Sequence, residues 1–105
     1  MDKRYSEMTQ KELMDEIGDL KVKAQKAEQM GMVNEYAVHE RKITMAQAYM
    51  MDPSVFNSGD TYLIRDSKED TFKISYMNGV FAWGYRNNSN EEEALPISLL
   101  TSKLN

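Results

Sequence analysis

The chain has 105 residues and a mass of 12.2 kDa, with 13 basic and 17 acidic side chains and a formal net charge of −4. It contains no cysteine, which excludes a disulfide framework and any thiolate-ligated zinc or iron–sulfur centre. No apolar run approaches the roughly 20 residues that cross a bilayer, and the charged start Met1-Asp2-Lys3-Arg4 leads into no secretory signal, so the expectation is a cytoplasmic protein without a membrane partner.

The first element is a helix with a marked beginning. Thr9 and Glu12 form a Thr-x-x-Glu capping box, and Met8 with Leu13 can make the hydrophobic staple. Leu13, Ile17, Leu20, Ala24 and Ala27 follow at 4-3-4-3 spacing, one apolar stripe of a helix. Gly31 can adopt the left-handed conformation that stops it. A second helix is expected from a cap near Asn34 to about Met51, ended by Asp52-Pro53, since the residue before proline is pushed out of helical angles. A link as short as Gly31–Val33 favours an antiparallel helical hairpin.

Beyond Pro53 the chain reads as strands: Thr61–Asp66, Thr71–Met77, Val80–Arg86 and Ala94–Leu100. Ser67–Asp70 is a polar turn, Asn87–Glu93 a polar acidic loop, and Asn78-Gly79 a strong hairpin signal. Pro96 marks an edge or a bulge. A two-residue loop at Asn78-Gly79 pairs Met77 with Val80. Tyr76 then faces Phe81, Ile74 faces Trp83, and Phe72 faces Tyr85, with all these rings on one side. That dense side needs covering, and four or five short strands cover it best by curling into a small barrel.

Little in the sequence carries catalytic chemistry. His39 is the single imidazole. With Glu35 it shares a helix face, but a metal needs three or four ligands, so it reads as a surface histidine. Glu91, Glu92 and Glu93 read as a solvated loop. No glycine-rich phosphate loop is present. The methionines offer more. Met14, Met30, Met45, Met50 and Met51 lie on or beside the helices, and methionine suits adaptable partner surfaces. They are the candidate protein-docking surface. Lys21, Lys23, Lys26, Arg41 and Lys42 on the helices, with Lys73 and Arg86 on the strands, are the candidate nucleic-acid contacts. Against that role, both halves of the chain carry more acidic than basic residues.

Several stretches together resemble a known family. Lys3-Arg4-Tyr5-Ser6 with Met8-Thr9, Glu40-Arg41-Lys42-Ile43-Thr44-Met45-Ala46, Asn78-Gly79-Val80-Phe81-Ala82-Trp83-Gly84-Tyr85-Arg86 and Glu92-Glu93-Ala94-Leu95-Pro96-Ile97-Ser98 are similar to the YfhH-like proteins of Bacillus and its relatives. The resemblance implies a helical hairpin joined to an SH3-like barrel and a role as a transcriptional regulator. It carries over no catalytic residue.

The combined expectation is an α+β protein, with a helical hairpin over residues 1–52 and a small SH3-like β-barrel over residues 53–105, the two forming one compact unit. It is a non-enzymatic binding or regulatory module without a cofactor. It acts mainly through protein–protein contacts, homodimerisation among them, with nucleic-acid binding through a local basic patch as the alternative.

Overall fold

Helix α1 spans Gln10–Gln29 in the computed structural model, which describes residues 3–67 and 69–105. Lys68, within the turn expected over Ser67–Asp70, lies outside the described residues. The helix starts where its capping box places it. Thr9 Oγ1 accepts the Glu12 amide at 3.1 Å, and Glu12 Oε1 accepts the Thr9 amide at 3.0 Å. Two amides at the helix start are thereby paired. All five residues of the 4-3-4-3 stripe are buried. Gly31 follows with φ +70°, which a residue with a Cβ adopts only under strain.

Helix α2, Val33–Tyr49, begins before its expected cap. Met32 occupies the N-cap position with no side-chain hydrogen bond, and Asn34 lies inside the first turn. The tight link explains this. The Met32 amide donates to the Ala27 carbonyl at 2.8 Å while the Met32 carbonyl accepts the Tyr36 amide at 3.0 Å. One residue therefore closes one helix and opens the next. Ile43 and Ala46 pack with Leu13, Ile17 and Leu20 as the hairpin core, and Tyr5, Met8, Tyr49 and Met50 pack around it. Tyr5 belongs to a 3-10 turn, Tyr5–Glu7, and its ring meets Tyr49 edge-on at 6.5 Å. By connectivity the chain divides into two compact units, residues 1–50 and 51–105.

The second unit contains five strands: β1 Thr61–Ile64, β2 Thr71–Asn78, β3 Phe81–Arg86, β4 Glu92–Pro96 and β5 Leu100–Lys103. They form one antiparallel sheet in the order β4-β3-β2-β1-β5. This corrects the expected SH3-like β-barrel: the sheet is open. Among the described residues no ladder joins its edges, β4 and β5. Pro96 ends β4, and proline brings no amide to continue a ladder. The chain then makes a 3-10 turn over Ile97–Leu99, and Leu100 pairs with Ile64 of β1 instead. The run expected over Ala94–Leu100 is thus two strands broken by a turn.

The β2–β3 hairpin is a second correction. Asn78 pairs with Phe81, so the loop residues are Gly79-Val80. Gly79 has φ +60° and Val80 has no positive φ, the pattern of a type II′ turn. Tyr76 pairs with Trp83 and Met77 with Ala82. Past a bulge at Ser75, Ile74 pairs with Gly84, Lys73 with Tyr85 and Phe72 with Arg86. A one-residue slip sends every side chain of a strand to the opposite face. Val80, Ala82 and Gly84 therefore turn inward, toward buried Phe72 and Ile74. Phe81, Trp83 and Tyr85 turn outward. Phe56 completes the inner side, its ring 5.2 Å from that of Tyr62.

Candidate functional site

The outer face of the sheet is the most distinctive surface of the second unit. Along β3, Phe81, Trp83 and Tyr85 stand at alternate positions, as a pleated strand requires of one face. Their cross-strand partners extend the surface: Asn78, Tyr76 and Lys73 on β2, and Pro96, Ala94 and Glu92 on β4. The bulge at Ser75 lets Phe72 and Ile74 stay inside while Tyr76, on the same strand, faces out. Tyr76 is 46% exposed, and Phe81, Trp83 and Tyr85 are half-buried. The Tyr76 and Trp83 rings stack, with centroids 5.9 Å apart and planes 2° from parallel. Each ring limits the other's freedom, so the pair is held in place before anything binds.

Charge flanks the rings. Lys73 neighbours Tyr85 on one side and exposed Glu92 on the other. The loop beyond β3 is pinned rather than loose at its root: Asn87 Oδ1 accepts the Thr71 amide at 2.7 Å, and Asn87 Nδ2 donates to Asp70 at 2.7 Å. Asn87 and Asn88 both take positive φ, 48° and 63°, which asparagine tolerates better than most residues. The bond from Asn87, then one from Ser67 and then the Arg86 charge, hold the Asp70 carboxyl below its ordinary range.

The candidate residues fall in separate places. Met14 and Met30 are 61% and 71% exposed, but 16 helical positions separate them, roughly 24 Å along α1. Met14 and Met30 therefore stand far apart along α1. Met45, Met50 and Met51 are half-buried, and Met50 packs on the hairpin core. Among the basic candidates, Lys21 and Lys26 lie exposed on α1. Lys23 lines a groove of about 560 Å³ with His39 and Lys42. Arg41 and Lys42 line a second groove with Arg4. Lys73 stands on the outer sheet face. The Arg86 guanidinium is taken up by Glu93, with two contacts at 3.2 Å, and by Asp70 at 3.6 Å.

His39 is half-buried on α2, and its Nδ1 is sealed from solvent without a hydrogen bond among the described residues. No group of three or more His, Asp or Glu side chains is placed to hold a metal ion among the described residues. In the same unit the Tyr5 phenol is pushed up to about 12, first by burial and then by its hydrogen bond to Glu16 at 3.1 Å. Among the described residues, no helix is long and apolar enough to cross a membrane.

Residues 3–101 match the family model described as "Protein of unknown function (DUF1811)". The chain is also 59% identical over 104 residues to the "Uncharacterized protein YfhH" of Bacillus subtilis (strain 168), an alignment spanning 98% of this chain and 99% of that protein. Neither description names a transcriptional role, so the transcriptional-regulator expectation is set aside along with the SH3-like barrel it came with. The chain belongs to the YfhH family.

Proposed function

We propose that this member of the YfhH family is a cytoplasmic, non-enzymatic binding module that acts through protein contacts, and that the outer sheet face is its recognition surface. The observation that carries this reading is the parallel Tyr76–Trp83 stack on the side of the sheet away from the buried residues. Tryptophan and tyrosine supply large contact areas at low conformational cost and dominate measured binding energies at protein interfaces. The partner fitting this face is a protein segment with aliphatic side chains and a basic residue. The aliphatic groups lie on the rings, and the cation meets Glu92 and the ring faces. A nucleic acid fits less well. Of the two strand cations suited to phosphate, Arg86 is already engaged by Glu93 and Asp70.

The test is capture from native lysate by the full chain, with nuclease-treated and untreated halves compared, followed by direct binding of the purified captured protein. The expected result is one protein held in both halves and bound directly, with affinity reduced at least about tenfold by Trp83→Ala, about 1.4 kcal/mol. Tyr76→Ala, at a more exposed ring, checks the same face should Trp83→Ala lower the denaturation midpoint. Capture that vanishes with nuclease, or a partner bound equally well by both variants, overturns the reading.

A further inference from the structure

The hairpin unit contains a groove of a different chemistry. The 3-10 turn Tyr5–Glu7 lies beside α2, and between them a groove of about 510 Å³ is lined by Arg4, Tyr5, Ser6, Arg41, Lys42, Met45 and Tyr49. Three cations line it and no carboxylate does, in a chain whose acidic residues outnumber its basic ones. Among the described residues, none of Arg4, Arg41 and Lys42 is paired with a carboxylate. The rest of the lining is a hydroxyl, a thioether and the edge-to-face pair Tyr5–Tyr49.

We propose that this groove binds a small phosphate monoester carried on a flat apolar body. Two guanidiniums and an ammonium suit a dianionic phosphate, because arginine offers paired N–H donors that match its oxygens and lysine adds a compact charge. The Ser6 hydroxyl supplies a further donor. Tyr5, Tyr49 and Met45 form the apolar wall for the body of the ligand. The volume lies within the roughly 300–1,000 Å³ of small-molecule sites. A polyphosphate strand is the poorer occupant. Lys42 also lines the neighbouring groove, where Glu12 and Glu16 stand among Lys3 and Lys23, so the positive charge there is no longer unopposed by carboxylates.

Phenyl phosphate titrated into the full chain and followed by calorimetry tests this. Inorganic phosphate, phenol, a short single-stranded oligonucleotide and vesicles containing phosphatidic acid serve as the other arms. The expected result is saturable binding of one phenyl phosphate per chain, at least about tenfold tighter than inorganic phosphate or phenol. Arg41→Gln and Arg4→Gln should each weaken it about tenfold, the size of one charge-assisted contact. Lys11→Gln, exposed on α1 and outside the groove, should leave it unchanged. Both arginines are exposed, so an unaltered denaturation midpoint is expected and separates lost binding from lost fold. Three results overturn the proposal: binding that does not saturate, equal weakening by Lys11→Gln, or binding to vesicles or the oligonucleotide without binding to phenyl phosphate.

Discussion

At Gly84 a β-carbon would run into the carbonyl group of Lys73 and come within 3.1 Å of Ile74 Cα, all backbone of the neighbouring strand β2. Backbone held in a ladder cannot step aside as a side-chain tip can. Gly84→Ala should therefore destabilise the chain by at least about 2 kcal/mol, in the upper range for overpacking, read as a lower urea midpoint. Tyr5 offers a second test at this scale. Its phenol is raised from 10.0 to about 12, so the folded state holds that proton more tightly than the unfolded state. The resulting stability is whole below pH 10 and is lost as pH rises through 12. Ultraviolet titration should show a phenol still protonated as pH approaches 12, and that step should be missing in Tyr5→Phe. Neither residue announces itself in the sequence. Gly84 reads there only as one residue of the Val80–Arg86 strand, and Tyr5 reveals its constraint only once Glu16, 11 positions along, is seen to accept its hydroxyl proton.

Among the elements, α1 is legible in the sequence and the sheet is not. The start of α1 depends on contacts within four residues, and the box forms as its residue types require. Thr9→Ala removes the hydroxyl that meets the Glu12 amide and should cost about 1 kcal/mol in chemical denaturation. The sheet depends on contacts that sequence spacing does not show. The Ser75 bulge is held from outside the hairpin: Ser58 Oγ donates to the Ser75 carbonyl at 2.7 Å, and the Gly59 amide to the Ile74 carbonyl at 2.8 Å. Strict alternation through residues 72–85 therefore puts every ring on one face. In the structure the bulge and the Gly79-Val80 loop divide them, with Phe72 inside and Tyr76, Trp83 and Tyr85 outside. The division predicts unequal mutants. Phe72→Ala should cost about 3–5 kcal/mol, as for a buried aromatic. Tyr76→Ala should cost about 1 kcal/mol, the scale of an aromatic pair interaction. Equal losses on denaturation would contradict the observed register. The density of rings is visible in the sequence and the side they occupy is not.

For the molecule as a whole, acid sensitivity follows from three carboxyls held below their ordinary range. Glu12 is lowered chiefly by the Thr9 amide and then by Lys3, Asp52 chiefly by Ser54, and Asp70 chiefly by Asn87. In each case the folded state binds the proton more weakly than the unfolded state. Their contributions are present above the unfolded values near pH 4 and are lost as pH falls through the folded ones. The urea midpoint should stay level from pH 7 to about 5 and drop below about 4, and Asp70→Asn should make that drop shallower. The two halves of the chain also differ optically. The single tryptophan belongs to the sheet half and lies flat against Tyr76, whereas the hairpin half has tyrosines alone as chromophores of this kind. Indole emission excited at the red edge of its absorption is thus a built-in reporter. It changes when a ligand shields the outer face of β3, and the tyrosines of the hairpin half add nothing to it at that excitation.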